Sequence, residues 1–226
     1  MRAAAVVVAG GSGTRFGGPV RKQYLQIAGV PVLLRAIRPF LDHPRIASVV
    51  VVLPPDDVAD PPAWLADLAI RIVAGGAERG DSVRNGLGMV GADVDRVLIH
   101  DGARPFVSAE IIDRVLDACA RDGAIAAVPA TDTIQQVGAG GLIDRTLDRS
   151  VLWHAQTPQG FPRERILHAH RRAAAEGISG TDDAGLYARY AGPVRVVMGA
   201  YENLKVTRPG DLPIAEAIAA RSSQSA

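Results

Sequence analysis

Val6-Val7-Val8-Ala9-Gly10-Gly11-Ser12-Gly13-Thr14-Arg15, with Lys22 shortly beyond it, is the stretch that decides how this 226-residue chain is built. The apolar run from Ala3 to Ala9 reads as a buried strand. Small residues follow at once, and Gly10, Gly11 and Gly13 remove the Cβ atoms that would hold a ligand off the backbone. Successive free N–H groups in such a turn form a concavity for an anion. Arg15 and Lys22 add two cations beside a loop too rich in glycine to be packed core. Strand, cradle and cations together read as a triphosphate site. The plainer alternative is a tight strand-to-loop turn with solvated cations. Two known glycine motifs do not fit. The dinucleotide fingerprint needs glycine where Phe16 stands. The P-loop needs lysine where Pro19 follows Gly18.

The rest of the composition suits one α/β domain over 1–226. Hydrophobic residues make up 48% of the chain, enough for a core and too many for a disordered segment. A formal net charge of +1 gives no global field for nucleic acid. No apolar run approaches the ~20 residues of a membrane span, and Met1-Arg2-Ala3 enters a strand directly, without a signal-peptide pattern. The single cysteine, Cys119, cannot form an internal disulfide, which makes a cytoplasmic protein the expectation. Its place beside Val115 and Leu116 marks it as a buried small hydrophobe.

Strands and helices alternate along the chain. Helical spacing covers Val32 to Leu41, and an unbroken β-branched run covers Ile46 to Leu53. A weaker helix around Ala63 to Leu68 precedes a short strand, Ile70 to Val73. Gly75-Gly76 then makes a second close backbone approach, with Asp81 or Ser82 placed to cap a helix to about Met89. Arg96 to His100 is another strand. It delivers Asp101 to its carboxyl end, where open α/β sheets bind ligands and where a carboxylate can meet a metal or a ribose. Arg104 can pair with Asp101 or face an anion. Ser108 caps a helix to about Arg121, and Ala124 to Val128 is a central strand. This alternation predicts a mostly parallel twisted sheet flanked by helices. From about 130 to 152 the pattern changes to a hairpin with few large apolar residues, an arm whose simplest partner is a second subunit. A helix follows from about Pro162 to Glu176, with His168 and His170 read as surface residues. Thr181 caps the next helix, which opens with Asp182 and Asp183. Val194 to Met198 is a strand, Asn203 to Thr207 a short one, and Thr207 caps a last helix from Pro209.

Assembled, these residues resemble the 2-C-methyl-D-erythritol 4-phosphate cytidylyltransferase family from Val6 to Pro209. The matching pieces include Ala9 to Arg15, Lys22-Gln23-Tyr24-Leu25, Gly75 to Arg79, Asp81-Ser82-Val83, Asp101 to Phe106, Asp132-Thr133, Asp148-Arg149, Gln156-Thr157-Pro158-Gln159, Thr181-Asp182-Asp183-Ala184 and Asn203 to Pro209. The resemblance implies a Rossmann-like nucleotidyltransferase domain. It also implies transfer of a cytidylyl group from CTP to methylerythritol phosphate, with Mg2+ on the triphosphate and no protein nucleophile. By motif, Arg15 and Lys22 stabilise charge on the α-phosphate, and Lys205 with Arg149 holds the sugar phosphate. Substrate contacts fall to Ala9, Gly10, Gly11, Gly13, Gly75, Gly76, Ser82, Asp101, Gly102, Arg104, Thr133, Thr157 and Thr181, with Asp101 also the metal carboxylate. Thr133 and Arg149 lie on the arm, which implies a homodimer. Two positions depart from the family pattern: Arg21 stands where proline often precedes the lysine, and Ala77 where an acidic residue often follows the second glycine. Little continues past about Arg221, so the fused cyclase domain of bifunctional members is not expected. Two other functions remain open from sequence. One is a ribitol 5-phosphate cytidylyltransferase, which shares the nucleotide half. The other is a non-catalytic nucleotide-binding regulator.

Overall fold

In the computed structural model, which describes residues 2–11, 21–180 and 182–224 (the last three as backbone), the valine run forms β1 (Ala3–Val8) inside a seven-stranded sheet. A two-residue ladder joins β2 (Gln26–Ile27) to β3 (Val30–Pro31) and leads into α1 (Val32–Leu41) and β4 (Ile46–Leu53). Next come α2 (Pro55–Val58), β5 (Ile70–Ala74), α3 (Arg79–Gly88), β6 (Arg96–Asp101), α4 (Ala109–Ala118) and β7 (Gly123–Pro129). The hairpin β8 (Gln135–Val137) and β9 (Ile143–Thr146) precedes β10 (Trp153–Pro162), α5 (Arg163–Ala175), α6 (Asp183–Tyr190), β11 (Val194–Met198) and α7 (Asp211–Gln224). The strand order is β11-β7-β10-β6-β1-β4-β5.

Alternation along the strands separates two cores. Ala3, Ala5 and Val7 of β1, with Val49, Val51 and Leu53 of β4, face Leu33, Ile37 and Phe40 of α1 and Ile112 and Val115 of α4. Ala4, Val6, Val50 and Val52 face the opposite way, onto Val83 and Leu87 of α3 and toward Ile166 and Tyr187. The helices cover both faces, so the inner strands read as continuous apolar runs. A smaller cluster of Ile27, Val32, Val206, Ala215 and Ala219 seats α7.

The mostly parallel sheet is as expected, with one strand that sequence reading passed over. β10 runs antiparallel to both β6 and β7, and every other pairing in the large sheet is parallel. Gln156, Thr157, Pro158 and Gln159 look like a loop because they are polar and interrupted by proline. They are buried because each polar side chain finds a fixed partner. Gln156 bonds the Ala200 carbonyl, Thr157 bonds His100, and Gln159 bonds Asp182 and the Ala184 N–H.

Several caps and ends also differ from expectation. Glu78, not Asp81 or Ser82, is the N-cap of α3; Asp81 sits three residues in, and its carboxylate accepts from the Glu78 N–H at 3.0 Å. Asp182 caps α6, its carboxylate accepting from the Gly185 N–H at 2.9 Å, and the expected cap Thr181 lies outside the described residues. Residues 203–207 form no strand; the Val206 N–H bonds the Ala103 carbonyl at 2.8 Å. The last helix starts at Asp211, whose carboxylate gathers the Thr207 and Arg208 N–H groups. The helix near Ala63 shrinks to a 3-10 turn, and α4 stops at Ala118 with Cys119 buried at its end. His170 is not a surface residue: it is 1% exposed, on the face of α5 that also buries Ile166, Ala169 and Ala173, while His168 is exposed.

The arm forms its own two-stranded ladder, exposed at every position of β8 and β9, with Leu142 and Ile143 uncovered. Among the described residues no helix is long and apolar enough to cross a membrane.

Gly86 lies where α3 crosses β1 and β4, and a Cβ there would overlap Val6 Cγ1 and stand 2.9 Å from Val52 Cγ2. Replacing Gly86 with Val overpacks this contact. The expected outcome is a loss of about 1–3 kcal/mol in urea unfolding, and a variant as stable as wild type would contradict the packing.

Candidate active site

The carboxyl ends of β1, β5 and β6 meet on one side of the sheet. β1 leaves toward β4 on one flank while β6 pairs on the other, so their ends part at a topological switch point. A cavity of about 360 Å3 opens there, walled by the turns after the three strands and by Lys22 and Lys205. Its construction depends on two glycines. A Cβ on Gly10 would lie 3.3 Å from the Gly75 Cα, and one on Gly75 would lie 3.2 Å from the Gly10 Cα and 2.9 Å from Ser82 Oγ. The loops after β1 and β5 thus touch backbone to backbone over the end of β4, where the Leu53 carbonyl accepts from the Gly75 N–H at 2.7 Å. Ser82 locks the second loop, accepting from the Gly76 N–H and donating to the Glu78 carbonyl. Buried Gln23 holds the first by donating to the Ala9 carbonyl at 3.1 Å. At Gly102 a Cβ would press on Leu33 and Ala9.

Lys22 opens a 3-10 turn anchored by its neighbours. Arg21 pairs with Asp56 and Asp57, and the Tyr24 hydroxyl donates to Asp57 at 2.6 Å. Arg21 has φ −62° and ψ 137°, angles that proline would also adopt, so this departure from the family pattern leaves the path intact at that residue.

Asp101 is the electrostatic centre of the cavity. Lys205 Nζ lies 2.7 Å from Oδ2, Arg79 Nε 3.3 Å from Oδ1, and Arg104 Nε 4.0 Å away. Burial alone would raise the Asp101 carboxyl. Lys205 and Arg79, then Arg104, outweigh it and hold the group well below the usual carboxylate range. Behind it runs a fixed chain: His100 Nε2–H donates to the Arg104 carbonyl at 3.1 Å, Thr157 donates to His100 Nδ1 at 2.9 Å, and Thr157 Oγ1 accepts from the Asp101 N–H at 3.0 Å. The Arg104 carbonyl can only accept, which sets this tautomer.

Of the residues expected at the site, Ala9, Gly10, Gly11, Lys22, Gly76, Ser82, Asp101, Gly102 and Lys205 line the cavity, and Gly75 packs directly behind it. Thr157 sits beneath Asp101. Arg104 turns away to the Asn203 and Ala155 carbonyls. Thr133 and Arg149 are exposed on the arm, outside this chain's cavity, with Arg149 donating to the Thr131 carbonyl. Gly13, Arg15 and Thr181 lie outside the described residues. Sequence reading gave no role to Arg79, which lines the cavity and reaches buried Asp183, itself bonded to His170. The signal for His170 was its spacing from Ile166 and Ala173 on one helical face.

The sequence model of a family described as 2-C-methyl-D-erythritol 4-phosphate cytidylyltransferase matches residues 3–221. A protein of that name from Syntrophus aciditrophicus is 46% identical over 220 residues, 94% of each chain. One from Pelotomaculum thermopropionicum is 44% identical over 223 residues, covering 96% of this chain and 94% of that one. The crystal structure of the cytidylyltransferase of that name from Thermus thermophilus superposes with a TM-score of 0.81 at 35% identity, covering 97% of this chain and all of the other. The 4-diphosphocytidyl-2C-methyl-D-erythritol synthase of Anaerococcus prevotii gives 0.85 at 28% identity, covering 97% and 96%.

Burial pushes the His100 imidazole down to about 4. The unfolded chain takes up this proton near pH 6.5 and the folded chain near 4, so stability is lost as pH falls through that window. From pH 7 to pH 5 the loss is about 2 kcal/mol. The depressed carboxylates of Asp101 and Asp183 act only at lower pH. Urea unfolding across this range is expected to show the drop in wild type and to flatten in His100→Gln. An equal drop in both excludes His100 as its source.

Proposed function

Given that the chain belongs to the 2-C-methyl-D-erythritol 4-phosphate cytidylyltransferase family, we propose that it transfers the cytidylyl group of CTP to 2-C-methyl-D-erythritol 4-phosphate. The products are CDP-methylerythritol and pyrophosphate, in the non-mevalonate route to isoprenoid precursors. The observation that carries this reading is the cavity itself: two glycine turns in backbone contact, with Arg79 and Lys205 on one ionised carboxylate and Lys22 on the same cavity's wall.

The acceptor phosphate is already an anion and needs no protein base. Its oxygen attacks the α-phosphorus, a new P–O bond forms, and the bond to the bridging oxygen breaks as pyrophosphate leaves. Catalysis is then positioning and charge stabilisation. The Gly75-Gly76 backbone, on a turn fixed by Ser82, presents carbonyls suited to accepting from the amino group of cytosine. Lys22 and Arg15 stabilise charge on the α-phosphate. Lys205 takes the acceptor phosphate, which requires it to leave Asp101.

Magnesium is part of the proposal. Among the described residues no cluster of three ligating side chains exists. Asp101 is an ionised carboxylate at the cavity, and magnesium binds through one or two carboxylates plus substrate phosphates. The donor set therefore fits an ion that arrives on the triphosphate, with Asp101 as its protein carboxylate. Such an ion neutralises phosphate charge.

The exposed apolar residues of the arm, Leu142, Ile143 and Val151, support a homodimer in which Arg149 and Thr133 reach a second copy's cavity. A lone buried cysteine supports a reducing compartment, the cytoplasm.

Pyrophosphate release is measured with CTP and Mg2+, with methylerythritol phosphate and ribitol 5-phosphate in separate reactions. Release with the first alone, lost in Lys22→Ala and Arg15→Ala, is the expected result. Release with ribitol 5-phosphate alone replaces the acceptor, and CTP binding without release makes the protein a regulator. For the arm, inactive Lys205→Ala and Arg149→Ala chains are unfolded and refolded together. One intact site per mixed dimer restores about a quarter of wild-type activity; no recovery rejects a shared site.

A further inference from the structure

Two buried groups, Asp183 and His170, have no part in the mechanism above. Asp183, the first residue of α6, is fully buried, and His170 of α5 is 1% exposed. His170 Nε2 lies 3.0 Å from Asp183 Oδ1, and Asp183 Oδ2 accepts from Arg79 Nη2 at 2.8 Å. The Arg79 guanidinium turns its Nε the other way, to Asp101 Oδ1. One cation thus spans two carboxylates, one deep and one at the cavity. His170 Nδ1 is buried with no hydrogen-bond partner among the described residues. A proton there would be stranded, so the ring carries its proton on Nε2, facing Asp183. Burial opposes the Asp183 charge, and Arg79 with His170 outweighs it, keeping the carboxyl below its ordinary range.

Asp183 is not needed to cap its helix, because Asp182 already does so. A buried carboxylate is costly unless paired and hydrogen-bonded, and this one spends its pairing on a cavity residue. Asp101 divides its oxygens between Arg79 and Lys205. The Lys205 side chain is 35% exposed, whereas the far end of Arg79 is tied to a carboxylate with no exposure at all.

We propose that Asp183 and His170 are positioning residues that hold Arg79 on Asp101, so that Asp101 can release Lys205 to the acceptor phosphate. This rests on the cytidylyl-transfer reading. Released from Asp183, Arg79 would be free to leave Asp101, and Asp101 would then hold Lys205 back from the acceptor phosphate. The defect then falls on the acceptor, not on CTP.

Steady-state kinetics on the full-length enzyme tests this with Asp183→Asn, His170→Leu and His170→Gln, the last keeping a donor near the position of Nε2. Asp183→Asn and His170→Leu are expected to raise the acceptor KM about tenfold with the CTP KM within about twofold, and His170→Gln to recover most of the loss. In 15N-arginine NMR, the Arg79 Nε–H signal (identified by its absence in Arg79→Lys) is protected in wild type and collapses in Asp183→Asn. Thermal melts establish folding, and if Asp183→Asn does not fold, the two His170 variants decide, with the NMR comparison made on His170→Leu. Equal rises in both KM values, a His170→Gln as impaired as His170→Leu, or an unchanged Arg79 signal overturns the proposal. A wild-type enzyme inactive toward methylerythritol phosphate defeats the substrate reading, while the NMR comparison still judges the clamp.

Discussion

The backbone contact between Gly10 and Gly75 underlies the whole site. β4 lies between the strands that carry these residues, so their loops meet only by bending over its end. Any side chain at either position would force the loops apart or displace the Ser82 hydroxyl. With the contact made, Ser82 can serve Gly76 and Glu78 together, and Gln23 can reach across to Ala9. The cavity is a consequence of that closeness. Its floor is backbone, which suits a ligand made of phosphates and a flat base.

Charge is arranged around that floor with little redundancy. Asp101, Asp183, Arg79 and Lys205 form a chain of alternating sign that runs from solvent to full burial. Isolated, each buried member would be destabilising. In sequence they compensate one another, and uncharged neighbours set the geometry: Thr157 holds the Asp101 N–H, and the Val206 N–H bonds Ala103 and so sets the segment that bears Lys205. Arg104, the nearest further cation, is spent on the Asn203 and Ala155 carbonyls, and so ties three separate segments together.

The parallel half of the sheet was legible because its strands are unbroken apolar runs and its helices have one clear face; α1 and β4 begin and end where spacing puts them. The glycine turns and Asp101 were legible because their chemistry is local. β10 was hidden because its stability is not local: Gln156, Thr157 and Gln159 are buried only by virtue of Asn203, His100 and Asp182, each far away in the chain. The same reason hid His170 and Asp183, which look like ordinary helix residues until Arg79 is brought between them. Caps slipped by a few residues where several acidic side chains compete, as with Glu78 and Asp81.

β10 also joins two functions along one piece of chain. The arm leaves the sheet at the end of β7 and returns through Trp153, which pairs with Pro129 at its root. Four residues later the same strand supplies Thr157 beneath Asp101. At the rise of an extended chain this is about 13 Å. The stretch between is held by β7 through Ala155 and by the bond of Gln156 to Ala200. One strand therefore carries both the root of the arm and the hydroxyl beneath the carboxylate, so a change in its register against β7 displaces both.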